Sequence, residues 1–417
     1  MNTLNRNCYR CSRNILCGVL LLLLFSPSFA AGQTQSGFRL QSVSVQTRSS
    51  GLPILARTGD CVAWRTGSGL IWLDRRGQSI AEAKATFLKH AASSDASTIA
   101  TLEKIIKAGE REGETTLALR WFDREGRPQG NYIFSQHSDD PLPQFLFDTA
   151  GSNLLVVQPA IARLIFLNRS GQVTREQQLF SDAPYSLERP FLLAASAEAF
   201  VVLSQPAPST TGKLVAPVLC RFSVAGDELW RRELAPGTAG ALAISDDGRW
   251  LVAARYAVVS DEGAHSPRVE STVSFFNHRG DLLVTVNGLF RQALFAKNGA
   301  RALLMDRRQL RMVSLPSGKL QWQINLSRKT EMLVDIAATA GLDKIFALAG
   351  ASVFKDNRFL FENNRLLGFN GQGKQQFATS LKQALSSPKL LVSEDGQKLV
   401  LAAEGLLQNF IVSNVAK

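Results

Sequence analysis

Four stretches of the chain align on a glycine without a gap: LFDTAGSNLLVV at Gly151, AISDDGRWLVAA at Gly248, LFAKNGARALLM at Gly299 and LVSEDGQKLVLAA at Gly396. Each reads as an apolar stretch, a polar turn ending in Gly, a two-residue step and a second apolar stretch. That is the pattern of a β-hairpin, in which Gly supplies the positive φ of a tight turn and the flanking residues pack a sheet. Weaker copies lie around Gly59, Asp95, Ala197 and Gly341, so eight markers run from 59 to 396 at a mean spacing of about 48 residues. That spacing sits near the ~40–50 residues of a four-stranded propeller blade.

A second hairpin type falls between successive members of the first, with turns closing at Gly77, Gly126, Gly171, Gly226, Gly280, Gly318 and Gly373. Several of these turns open on Asp or Asn (Asp74, Asp123, Asn168, Asn277, Asn370), whose side chains cap their own backbone two residues on. Two hairpins per repeat give four antiparallel strands, and a radial array of such sheets is a β-propeller. The last repeat is one strand short, while FRLQSVSVQ (38–46) precedes the first complete repeat with a strand's alternation. The N-terminal stretch is therefore expected to complete the last blade by pairing with the C-terminal strands, removing two open sheet edges. The expected fold is all-β, an eight-bladed propeller over 38–417, or seven blades if the Asp95 or Ala197 hairpin is something else. A helical solenoid is disfavoured by the near-two apolar period.

Ahead of the repeats, Arg6, Arg10 and Arg13 precede an apolar run from Ile15 to Phe25 and a small-x-small exit at Ser28 and Ala30. This is the layout of a secretory signal peptide (1–30, cleaved after Ala30, with 31–37 a short linker). The apolar run falls well below the ~20 residues that span a bilayer. A periplasmic or secreted protein is expected. The full chain carries a formal charge of +12, and loss of three arginines with no carboxylate lowers it to +9. Cys61 and Cys220 are the two cysteines beyond residue 30. Both lie in apolar strand contexts, and a disulfide or two buried thiols are both compatible with them.

The SxDGxxL pattern at Ser245 to Leu251 and Ser393 to Leu399 resembles propeller repeats of the WD-repeat-like type. GDELWRREL and SGKLQWQINL place Trp230 and Trp322 four residues after a turn Gly and resemble the pyrroloquinoline-quinone-type repeat, in which that Trp packs between blades. The resemblance implies an exported bacterial propeller. The enzymatic branch of that class has an adjacent cysteine pair over the cofactor, and this chain has none. A scaffold branch assists assembly in the envelope, through a lipid-attached member whose attachment cysteine is also missing here.

No catalytic set emerges. His90, His137, His265 and His278 are scattered, without metal-ligand spacing to one another or to Cys. His137 with Asp139 and Asp140 is a weak hard-cation candidate, read more simply as an inter-blade loop. No G-x-S-x-G elbow or phosphate-cradling glycine loop is present. No cofactor is expected, and the mixed charge of the loops gives no basis for nucleic-acid binding. Loop length says more. The A–B and C–D turns are tight, whereas several B–C connections are expanded (107–115, 204–217, 260–270, 352–365), as are the D–A connections 135–144 and 180–190. Both kinds emerge on one face, which in repeat proteins is often the binding face. Within it, Lys355, Arg358, Phe359, Phe361 and Arg365 form the candidate partner-binding cluster, since aromatics and Arg dominate interface hot spots. The same residues also fit an extra hairpin folded onto the propeller. The leading function is a non-catalytic scaffold for a protein partner in the cell envelope. The alternative is an enzyme or binding protein that holds a sugar, lactone or quinone-type ligand in the central funnel.

Overall fold

A computed structural model describes residues 38–47, 52–55, 62–66, 69–73, 78–84, 87–94, 97–106, 112–179, 191–204, 215–259, 268–393 and 395–414. The signal-peptide and linker assignments, Cys61 and His265 lie outside these residues. Eight four-stranded antiparallel sheets follow one another along the chain. Blades 1 to 7 span residues 52–84, 89–137, 144–178, 191–233, 238–287, 292–325 and 332–380, each with its strands in order A, B, C, D from the inside outward. In blade 8 strands A to C come from 389–414, and Phe38–Thr47 pairs antiparallel with Leu406–Asn414 as the outer strand. Both doubtful hairpins are real: Lys89–Ala92 pairs antiparallel with Thr98–Ile105 in blade 2, and Phe191–Ala195 with Ala199–Ser204 in blade 4, while Asp95 itself lies outside the described residues. Leu73 of blade 1 packs with Val400, Ala402 and Leu407 of blade 8, so the first and last blades share a core cluster.

The burial follows from period two. Strands B and C are buried on both faces, as in Ala199–Ser204 and Leu154 to Val157, because each lies sandwiched between neighbouring blades. Strand D alternates or is mostly exposed, as in Val173–Gln178. The core is thus a ring of inter-blade clusters and not one centre. One such cluster, between blades 3 and 4, sets the Phe166 ring centroid 6.0 Å from that of Phe200 and 5.6 Å from that of Phe222. Cys220 lies in that cluster as a fully buried free thiol, and burial pushes its pKa up to about 12.

The C–D turns are built alike. Asp123, Asn168, Asn277 and Asn370 each accept two backbone N–H bonds, from the second and fourth residues on, at 2.9–3.1 Å. In all seven of these hairpins one residue bulges from strand D just after the turn (Ile80, Gln129, Thr174, Leu229, Leu283, Gln321 and Gln376). A bulge re-aims the side chain next to it. In blades 4 and 6 the next residue is Trp230 or Trp322, whose indole lies against the following blade's turn glycine. A methyl on Gly280 (φ +81°) or Gly373 (φ +78°) would come within 3.0 Å of the ring. Trp230 and Trp322 donate Nε1–H to His278 O (2.9 Å) and Gly371 O (3.0 Å) of that turn. These tryptophans therefore pack between blades, as the sequence implied.

Blade 2 reaches the same contact by another route. Trp121 stands on strand C, opposite Gly130 of strand D, and donates to Arg169 O of the next turn at 2.7 Å. A methyl on Gly130 would lie 2.5 Å from the indole, so the ring occupies the space that a strand-D side chain would take. The repeat preserves the contact while the residue that makes it changes strand.

Candidate functional site

On the opposite face the blades differ. Strand B of blade 7 (Lys344–Lys355) and its strand C (Arg358–Asn370) run 12 and 13 residues, against 5 and 6 for the corresponding strands of blade 6. The stretch 352–365, read as an expanded B–C connection that also fits an extra hairpin, is a β-hairpin continued from strands B and C. Lys355 pairs with Arg358 across a two-residue turn, Asp356–Asn357, with φ of +52° and +59°. Two positive φ values make a primed turn, whose twist suits tight hairpins and which Asp and Asn tolerate.

A bulge sets the hairpin's direction. Between the pairs Ala349–Arg365 and Ala351–Glu362, Gly350 stands opposite both Asn363 (φ +53°) and Asn364. Gly350 has no room for a side chain, because a Cβ there would collide with Asn364 Oδ1. Asn364 is fully buried and donates Nδ2–H to Phe361 O (2.6 Å) and Gln383 O (2.8 Å). Beyond the bulge, Phe361 exchanges both backbone hydrogen bonds with Leu385 of the blade 7 to blade 8 connection, at 2.8 and 2.9 Å. Leu360 and Leu385 are buried, and Arg358 reaches Glu404 in the B–C turn of blade 8 at 3.5 Å. The hairpin is therefore tied to blade 8 along its length.

The five candidate residues accordingly divide. Arg365 is held inside the chain, with its guanidinium bidentate on Glu331 (2.8 and 2.5 Å), a carboxylate only 3% exposed that Arg328 also reaches at 3.2 Å. Phe361 is half-buried at the seam with the Leu385 segment, and Arg358 braces the hairpin. Lys355 and Phe359 are exposed at the tip. Phe359 is joined there by Phe354, its cross-strand partner, with ring centroids 5.0 Å apart and exposures of 66% and 64%. Phe354 was not among the sequence candidates. Reading Lys355-Asp356-Asn357-Arg358 as a two-residue turn would have found it, because that register sets Phe354 directly opposite Phe359.

The remaining long-loop positions contribute less. His137, Asp139 and Asp140 form a self-capped turn: Asp140 accepts the backbone N–H of His137 at 3.2 Å, and the N–H of Asp139 points to His137 Nδ1 at 3.4 Å. Among the described residues no three His, Cys, Asp or Glu side chains converge as a metal-binding group. No helix of the described residues is long and apolar enough to cross a membrane. The connections 180–190, 205–214 and 260–267 lie outside the described residues.

No protein-family model matches the sequence, and no curated protein matches it. Among solved structures the chain is similar to the C-terminal WD40 domain of Sif2, at 13% identity and a TM-score of 0.54, covering 89% of this chain and 99% of that one. It is similar also to the Dos1 propeller, at 12% identity and a TM-score of 0.55, covering 89% and 95%. At these identities the likeness is one of fold, and the chain has a WD-repeat-like β-propeller fold.

Proposed function

We propose that this chain is an exported, non-catalytic propeller of the bacterial pyrroloquinoline-quinone-like class. In this reading it binds a protein partner in the cell envelope through its B–C and D–A face, with the blade 7 hairpin as the contact element. The observation that carries the reading is the Phe354–Phe359 pair, two large aromatics left in water at the tip of a hairpin that is otherwise hydrogen-bonded and ion-paired onto the ring. Interface hot spots are rich in aromatics and Arg, and a pre-organised contact element loses little conformational freedom on binding. Lys355 and Arg358 flank the pair and favour an acidic rim on the partner. Export rests on the charged, apolar and small-residue segments of residues 1–30.

A photo-crosslinking residue at Phe359, compared with one at Arg169 on the C–D turn face, tests the assignment in intact cells. The reading expects a discrete adduct from position 359 that disappears with Phe354→Ala. Adducts of equal yield from both positions, or none from 359, would overturn it. Fractionation of the same cells tests export, which requires the protein in the envelope or medium.

A further inference from the structure

A cavity of about 490 Å³ lies against the innermost strands of blades 2, 3 and 4, walled by Leu88, Phe145, Leu146, Leu192 and Leu193. The strands involved, Lys89–Ala92, Gln144–Phe147 and Phe191–Ala195, are the ones that surround the propeller axis. Its size falls in the range of small-molecule sites, ~300–1,000 Å³. Three polar side chains share this wall with the apolar ones, Lys89, His90 and Gln144, and Lys89 brings the ammonium. Its Nζ donates to Leu142 O and Pro143 O, both at 3.2 Å, and among the described residues no carboxylate lies within ion-pair distance. An ammonium has three donors, and these two long bonds leave the third without a described protein partner, turned to the cavity's solvent. Burial pulls the Lys89 pKa down. A half-buried cation among leucines and a phenylalanine, with no described counter-ion, is an unfavourable arrangement that an anionic group entering the cavity relieves.

We infer that this cavity binds a small carboxylate with an apolar body, its carboxylate on Lys89 and its hydrocarbon along Phe145, Leu146, Leu192 and Leu193. Gln144, which also lines the cavity, supplies an amide for the second carboxylate oxygen. A sugar fits this wall poorly, since its hydroxyls need partners on all sides. The groove between blades 4 and 5 differs: there Arg232 and Arg255 share the wall with Glu233 and Asp281, so its charges are already balanced.

Calorimetric titration of the mature protein with decanoate, decanol and decylamine, each below its micelle-forming concentration, tests the inference. Decanoate is expected to bind saturably at one site, decanol about tenfold or more weakly, and decylamine not at all. Lys89→Met should weaken decanoate by a similar factor and leave decanol unchanged, whereas Lys89→Arg should retain decanoate binding. Both variants are first checked for a wild-type melting transition, and Leu193→Ser, which keeps the cation but cuts the wall, should weaken both ligands. Absence of saturable decanoate binding overturns the inference. So does equal affinity for the amine, or unchanged decanoate affinity in Lys89→Met. The Phe354→Ala, Phe359→Ala double variant should bind decanoate normally, so the partner surface and this cavity fail independently.

Discussion

The two faces of the ring follow opposite rules. On the C–D turn face the same parts recur: an Asp or Asn that caps the turn in blades 2, 3, 5 and 7, a bulge in strand D of blades 1 to 7, and, under Gly226, Gly280, Gly318 and Gly373, a ring or aliphatic group of the preceding blade. On the B–C face blade 7 alone, among the fully described connections, extends its strands into a projecting hairpin. The difference teaches where constraint lies. A contact that must close a ring is repeated, because every blade needs its neighbour, while a face that closes nothing is free to vary.

The comparison breaks most visibly at Trp121. Trp121→Ala removes a ring that is 1% exposed and that Gly130 cannot replace, and a loss of about 3–5 kcal/mol in unfolding free energy is expected by denaturant titration. The sharper form is Trp121→Met with Gly130→Trp, which copies the Met312–Trp322 pairing of blade 6. It should recover most of that loss. If it recovers none, the two arrangements are not equivalent solutions of one contact.

Arg365→Met leaves Glu331 buried with Arg328 as its sole described cation and should cost about 3 kcal/mol, measured in the same way. Adding Glu331→Leu should restore stability, because the uncompensated carboxylate goes with it. Gly373→Ala comes next at about 2 kcal/mol, from a positive φ and a methyl driven into Trp322. Phe354→Ala with Phe359→Ala should shift stability by less than ~0.5 kcal/mol, since both rings are exposed, while removing the partner contact. A mutation in the repeating face thus costs folding, and one at the hairpin tip costs binding.

Cys220 supplies a readout across this series. With its pKa raised to about 12 by burial, the thiol stays protonated at pH 8 in the folded state and titrates near its ordinary value only once unfolded. In a background with Cys8, Cys11, Cys17 and Cys61 replaced by Ser, alkylation at pH 8 should therefore track opening of the clusters around blade 4, fast in Trp121→Ala and unchanged in the Phe double variant. Rapid labelling of the folded wild type would contradict the burial.

How much is legible in the sequence differs between the two faces. The hairpins at Gly151, Gly248, Gly299 and Gly396 and the Asx turns can be read directly, because a turn and its two strands are set by residues a few positions apart, whereas the choice between seven and eight blades rests on the pairings of blades 2 and 4. Resemblance to the pyrroloquinoline-quinone-type repeat, carried by the spacing from a glycine, is enough to assign Trp230 and Trp322 to inter-blade packing. It does not reach Trp121, whose role depends on Gly130 across the sheet and on Arg169 in the next blade. The blade 7 stretch reads equally as an expanded loop or as an extra hairpin, since its length alone does not fix a register. The register that pairs Phe354 with Phe359 comes from the turn at Asp356–Asn357.

The sequence by itself thus determined the all-β class, the repeat of glycine-marked hairpins and the pairing of the N-terminal strand into the last blade, all consequences of period-two burial and turn chemistry repeated along one chain. Only the tertiary structure decided that Arg365 belongs to Glu331 and not to a partner, that Asn364 and Leu385 fold the hairpin toward blade 8, and that Lys89 stands in an apolar wall. Each of those facts joins residues that are distant in sequence or carried on different blades. Their meeting is fixed by the closure of the ring and not by any local pattern.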